Sequence, residues 1–80
     1  MVTIEGNTLI IEAFHNHFQS ELRSIKRYEI LYISEVGEET FNEILEKCQY
    51  IEIHSVETDY FFTRRMRTCI RYDEIIIISW

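Results

Sequence analysis

The residues best suited to metal chemistry in this chain are two histidines that flank an asparagine, His15-Asn16-His17. Histidines one residue apart lie on the same face of a strand and can share a metal ion there, whereas on a helix they diverge by about 200°. No third ligand stands at a spacing that completes a site. We therefore interpret both as surface histidines near the end of an element and predict no metal or other cofactor.

Residues for nucleophilic catalysis are not arranged as an enzyme needs them. The serines lack the glycines of a nucleophile elbow, and two isolated glycines, Gly6 and Gly37, cannot form a phosphate-binding loop. Neither Cys48 nor Cys69 has an adjacent activating group. The sequence therefore predicts a protein without enzymatic activity.

One cluster combines aromatic and basic side chains, as surfaces for single-stranded nucleic acid do. Its candidate contacts are Tyr60, Arg64, Arg65, Arg67 and Arg71. The competing interpretation, which we favour, is an alternating strand: three arginines on one face neutralise acidic residues of the same molecule, and the other face is core. That inward face would carry Phe62, Met66 and Ile70.

Negative charge is concentrated in the middle of the chain. Residues 29–59 hold nine acidic residues and one basic residue, Lys47, which gives −8, while the whole chain carries −6. Such a balance argues against binding to duplex DNA, because phosphate affinity depends on Lys and Arg. We expect instead a small interaction or regulatory protein that binds another protein through this acidic segment. The candidate contacts are Glu38, Glu39, Glu43 and Glu46.

Length and composition indicate one domain over residues 1–80. Eighty residues with 46% hydrophobic content can form one small core, and the absence of proline predicts mostly regular elements. The longest apolar run, Ile75–Ile78, is far too short to span a membrane, and the N-terminus does not resemble a signal peptide. With only two cysteines, we expect free thiols and a cytoplasmic location.

The first half of the chain contains three predicted elements. Alternation around Gly6-Asn7 indicates a β-hairpin over Val2–Ala13. Apolar residues at helical spacing, namely Ile11, Phe14, Phe18, Leu22 and Ile25, predict an amphipathic helix over Phe14–Arg27. The nearly continuous apolar stretch Tyr28–Val36 predicts a strand buried on both faces.

The second half begins with the clearest helix, over Glu38–Cys48, whose stripe is Phe41, Ile44, Leu45 and Cys48. Half-buried strands follow at Tyr50–Val56 and Tyr60–Tyr72. The closing strand contains Ile75–Ile78, which must be covered on both faces. It is therefore either a central strand or the interface of a homodimer.

Residues 25–34 and 70–79 also resemble each other, with five identities at a separation of 45 residues. A duplicated half-domain would give both preceding stretches one conformation, and our prediction of a helix and a strand argues against it. The elements together indicate a small α+β domain with a largely antiparallel or mixed sheet and one or two helices. A small Sm-like or SH3-like barrel is the alternative architecture.

Overall fold

The computed structural model describes residues 2–80, except for the side chain of His15. It contains seven strands and three helices within these residues. The strands are β1 (Val2–Glu5), β2 (Thr8–Ala13), β3 (Tyr28–Tyr32), β4 (Tyr50–Ser55), β5 (Phe61–Arg65), β6 (Thr68–Tyr72) and β7 (Ile75–Ser79). The helices are α1 (His15–Leu22), α2 (Ile33–Val36) and α3 (Glu38–Lys47). The chain is thus a small α+β domain, as the sequence predicts.

The strands form two sheets. The first has the order β1-β2-β4-β5, in which β2 and β4 are parallel and the outer pairs antiparallel. The second is antiparallel and has the order β3-β7-β6. A two-residue turn at Gly6-Asn7, with Gly6 at φ 60°, closes the first hairpin as predicted. Within residues 2–80 the sheets remain open, so the barrel alternative is wrong.

One hydrophobic core lies between the inner faces of the two sheets. Both sheets contribute side chains at alternate positions, as the pleat of a strand requires, and α1, α2 and α3 add Phe18, Ile33, Phe41 and Ile44. The buried members are Leu9, Ile11, Ala13, Phe18, Leu31, Ile33, Phe41, Ile44, Ile51, Ile53, Phe62, Ile76, Ile78 and Trp80. Each element is therefore held mainly by one apolar face.

A helix forms within the predicted range Phe14–Arg27, but it is shorter than predicted and buries a different face. α1 ends at Leu22, and Ser24 adopts φ 61° just beyond it. Phe14, Leu22 and Ile25, assigned to the buried stripe, are exposed, whereas Glu21 is fully buried beside the core residue Phe18. The predicted stripe was wrong because the core lies on the Phe18 side of α1, and Glu21, three residues after Phe18, shares that side.

The strand predicted over Tyr28–Val36 is shorter and less buried than expected. β3 ends at Tyr32, and Ile33–Val36 forms the short helix α2 before Gly37, whose φ of 89° suits glycine. Of the residues of β3 only Leu31 is buried, so the expectation of two covered faces is wrong. The helix α3 matches its prediction, although Leu45 is exposed.

The predicted single strand Tyr60–Tyr72 is two strands in different sheets. The chain leaves the first sheet after Arg65 and enters the second at Thr68. Two backbone bonds fix the crossing, because Met66 N–H donates to Gln49 O at 2.9 Å and Arg67 N–H donates to Ser79 O at 2.7 Å. This crossing shifts the alternation, so Ile70 points outward and Arg71 inward, opposite to the predicted faces.

The strand β7 lies between β3 and β6, in the centre of its sheet, which is one of the two predicted positions. The stretch before β3 contains a helix, and the stretch before β7 contains strands. Their difference argues against a duplicated half-domain. Among the described residues, no helix has the length and apolar character to cross a bilayer.

We predict that two neighbouring isoleucines of β2 differ sharply in their contribution to stability. Ile11 is buried and Ile10 lies half-buried on the opposite face. Ile11→Ala should lower the free energy of unfolding by about 2–5 kcal/mol, because it removes core contacts and leaves a cavity, and Ile10→Ala by much less. Urea denaturation of both variants measures the difference. Equal losses would contradict the assignment of the core.

Candidate protein-binding surface

The outer face of the sheet β3-β7-β6 carries three rows of side chains fixed by the strand register. The first row is Tyr28, Ser79 and Thr68, the middle row is Ile30, Ile77 and Ile70, and the last row is Tyr32, Ile75 and Tyr72. Residues in one row lie side by side on neighbouring strands. None of the nine residues is charged. We refer to these nine residues as the uncharged face.

Six large side chains of the uncharged face remain accessible to solvent. Their exposed fractions are 46% for Tyr28, 42% for Ile30, 47% for Tyr32, 44% for Ile70, 61% for Tyr72 and 37% for Ile75. At roughly 200 Å² for a fully exposed side chain of this size, they expose about 550 Å² together. A mostly apolar area of this size equals the largest patch of a typical soluble monomer, and that patch is often functional.

The outer face of the other sheet differs in composition. There Glu52 accepts hydrogen bonds from Thr63 Oγ1 at 3.3 Å and pairs with His54 Nε2 at 2.5 Å. The His54 ring stacks on Phe61 with 5.1 Å between centroids. Charged and polar groups thus partner each other on that face. Exposed apolar side chains also occur elsewhere, Phe14, Ile25 and Tyr60 among them, but on the uncharged face six of them are aligned on three neighbouring strands.

Opposite charges border the uncharged face at its two ends. Arg27 and Arg67 precede β3 and β6, which run in the same direction, so both arginines lie at the end of the first row. Asp73 and Glu74 form the turn between β6 and β7, at the end of the last row. Asp73 adopts φ 56° in this turn, a conformation that aspartate tolerates better than most residues.

The four predicted acidic contacts all lie on α3, but two of them have cationic partners. Glu38 accepts two hydrogen bonds from the guanidinium of Arg71, at 2.5 and 2.9 Å. This pairing lowers the pKa of Glu38 and raises that of Arg71. Glu43 pairs with Lys47 at 3.8 Å, whereas Glu39 and Glu46 have no ion-pair partner among residues 2–80.

The predicted nucleic-acid contacts do not share one surface. Arg64 lies over the core ring of Phe62, with 4.8 Å to the centroid, while Arg65 occupies the opposite face of β5. Arg67 stands in the crossing between the sheets, and Arg71 is held by Glu38. Tyr60 precedes β5 and is exposed. The structure therefore spreads the aromatic and basic strip over two sheets.

A buried carboxyl that the sequence did not reveal lies at the end of α1. Glu21 is fully buried, with Lys26 Nζ 3.6 Å from Oε1. Lys26 also contacts Glu29 at 3.3 Å and His17 Nδ1 at 3.3 Å. Burial, followed by the neighbouring Glu29 carboxyl, raises the pKa of Glu21 from 4.5 to about 9. Glu21 is therefore protonated at neutral pH.

A cavity of about 330 Å³ opens between β1, β2, β3 and α2. Its wall combines apolar side chains with three carboxylates, Glu12, Glu29 and Glu35. Within residues 2–80 no cluster of three metal-ligating side chains is present, and the side chain of His15 lies outside the described residues. Burial raises the pKa of both thiols, Cys48 and Cys69, and so disfavours the thiolate forms.

The sequence held one usable sign of the uncharged face. Tyr28, Ile30 and Tyr32 alternate with Glu29 and Leu31, which is the period of a strand with two different faces. Tyrosine is frequent in protein interfaces because it is apolar with a polar tip. Glu21 gave no comparable sign, since glutamate in a short helix is nearly always exposed.

Comparison with protein-family models, curated proteins and solved structures finds no significant match to this chain.

We predict that Glu21 makes stability fall with rising pH. Its raised pKa means that the folded chain keeps a proton that the unfolded chain releases above pH 4.5. The stabilisation is complete below about pH 4.5 and is lost progressively as the pH rises to about 9. Glu21→Gln, which carries no titrating proton, should flatten the decline of unfolding free energy between pH 5 and 9, measured by urea denaturation.

The matched control for this experiment is Glu46→Gln, which removes an exposed helical carboxyl of α3. It should keep the pH dependence of the wild-type chain. Parallel curves for the wild type and Glu21→Gln would contradict the assignment of the titrating group.

Proposed function

We propose that this protein is a non-enzymatic interaction domain that acts by binding a protein through the uncharged face. The proposal depends on one observation, namely that the strand register places only uncharged residues on this face of the sheet. Nine aligned positions on three strands hold no charge, although 28% of the residues of the chain are charged. A surface without charges favours a protein partner over phosphate-rich nucleic acid.

The acidic helix α3 is the less favoured contact surface. Glu38 and Glu43 are already paired with Arg71 and Lys47 in the same chain, which reduces the charge available to a basic partner. Exposed ion pairs also contribute little to affinity and act mainly on association rate. We therefore assign α3 a supporting electrostatic role. We further propose a cytoplasmic location, where Cys48 and Cys69 remain free thiols.

A charge placed on the uncharged face should abolish partner binding. Ile70→Lys adds an ammonium group at the middle row, where binding would bury it at a large cost in desolvation. Ile10→Lys makes the same change on the outer face of the other sheet and is the matched control. The test is chemical cross-linking in a lysate of the native host, followed by mass spectrometry of the proteins captured by each variant. Ile10→Lys should capture the same partner as the wild type, with the same efficiency.

Ile70→Lys should capture the identified partner at least tenfold less efficiently than the wild type. Equal capture by both variants would contradict the proposed surface. The same conclusion would follow if the wild type captured neither another protein nor a second copy of itself.

A further inference from the structure

We infer that the occupant of the uncharged face is the same face of a second copy of this chain, packed with its strands antiparallel. This inference rests on the proposed function and names the partner of that surface.

The rows complement each other under a twofold axis. In a face-to-face pair whose axis runs across the strands through the middle row, the first row of each copy meets the last row of the other. On β7 the small Ser79 then faces Ile75 of the second copy, and on β6 Thr68 faces Tyr72. Small side chains thus face large ones on two of the three strands, which allows the sheets to interdigitate at the usual spacing of about 10 Å, while on β3 Tyr28 faces Tyr32 and the two rings pack side by side.

The middle row supports the same axis. Ile30, Ile77 and Ile70 would each lie opposite their own copies, which places three isoleucines against three isoleucines at the centre of the contact. A fully apolar centre with tyrosines around it is the usual anatomy of a protein interface.

The charged ends select the antiparallel arrangement. An axis across the strands places Arg27 and Arg67 of one copy beside Asp73 and Glu74 of the other, so opposite charges meet at both rims. An axis along the strands would place arginines beside arginines and acidic residues beside acidic residues. Juxtaposed like charges disfavour that alternative.

The accessible area predicts a reversible dimer. Two copies would remove about 1,100 Å² from water, twice the exposed area of the six large side chains, which is at the lower end of specific interfaces. Such a contact is compatible with a dissociation constant on the order of 10 μM. Monomers and dimers would then exchange over an experimentally accessible range of concentration.

Sedimentation velocity of the purified chain tests the self-association. The wild type and Ile10→Lys should shift from monomer to dimer between about 1 and 200 μM, whereas Ile70→Lys should stay monomeric, with circular dichroism confirming that all three are folded. A wild type that is monomeric throughout overturns the inference. If such a monomeric wild type still captured a protein from the lysate and Ile70→Lys did not, the proposed function would stand with a different partner. Failure of the inferred dimer can therefore be distinguished from failure of the proposed function.

Arg67→Glu tests the arrangement through the sign of its effect. In the antiparallel dimer it brings like charges together and should weaken dimerisation at least threefold at low salt, and Asp73→Asn in the same chain, which removes the carboxylate that faces residue 67, should restore most of it. Stronger dimerisation by Arg67→Glu would indicate parallel strands and overturn the inferred arrangement. An unchanged dissociation constant of the dimer would contradict the contribution of the charged ends.

Discussion

The constraint on which the rest of this structure depends is that β7 is apolar on both faces. Ile76 and Ile78 are fully buried between the two sheets, and the central position of β7 satisfies its backbone on both sides. The crossing at Met66–Arg67 brings β6 beside β7, and the hydrogen bond from Trp80 N–H to Arg27 O ties the end of the described chain to β3. Ile75 and Ile77 face outward, and no strand or helix within residues 2–80 forms a layer over them.

A second copy would supply that missing layer. One side of the sheet β3-β7-β6 is core, and the other would become the core of a dimer, with the charged ends setting the direction of the strands. Lys26 Nζ lies 3.6 Å from Glu21 Oε1 and 3.3 Å from Glu29 Oε1, and so links the end of α1 to β3, the strand that borders the uncharged face.

The sequence correctly predicted those elements whose local residue pattern agrees with the way they pack in the fold. The turn at Gly6-Asn7 and the amphipathic pattern of α3 gave correct positions, and the Ile-rich end gave a central strand. Tyr60–Tyr72 was misread because it contains neither glycine nor proline, so only tertiary contacts divide it. The sequence offered Ile75–Ile78 as a central strand or a homodimer interface but could not decide between them, because an apolar strand looks the same whether a helix, a sheet or a second chain covers it.

The most direct measurement of the central claim is an isotope-filtered nuclear Overhauser experiment on an equal mixture of labelled and unlabelled chain at high concentration. We expect contacts between copies from the Tyr72 ring to the Thr68 methyl group, and among the methyl groups of Ile30, Ile70 and Ile77. Contacts between copies that involve other surfaces, or their absence from a sample that sediments as a dimer, would contradict the inferred dimer.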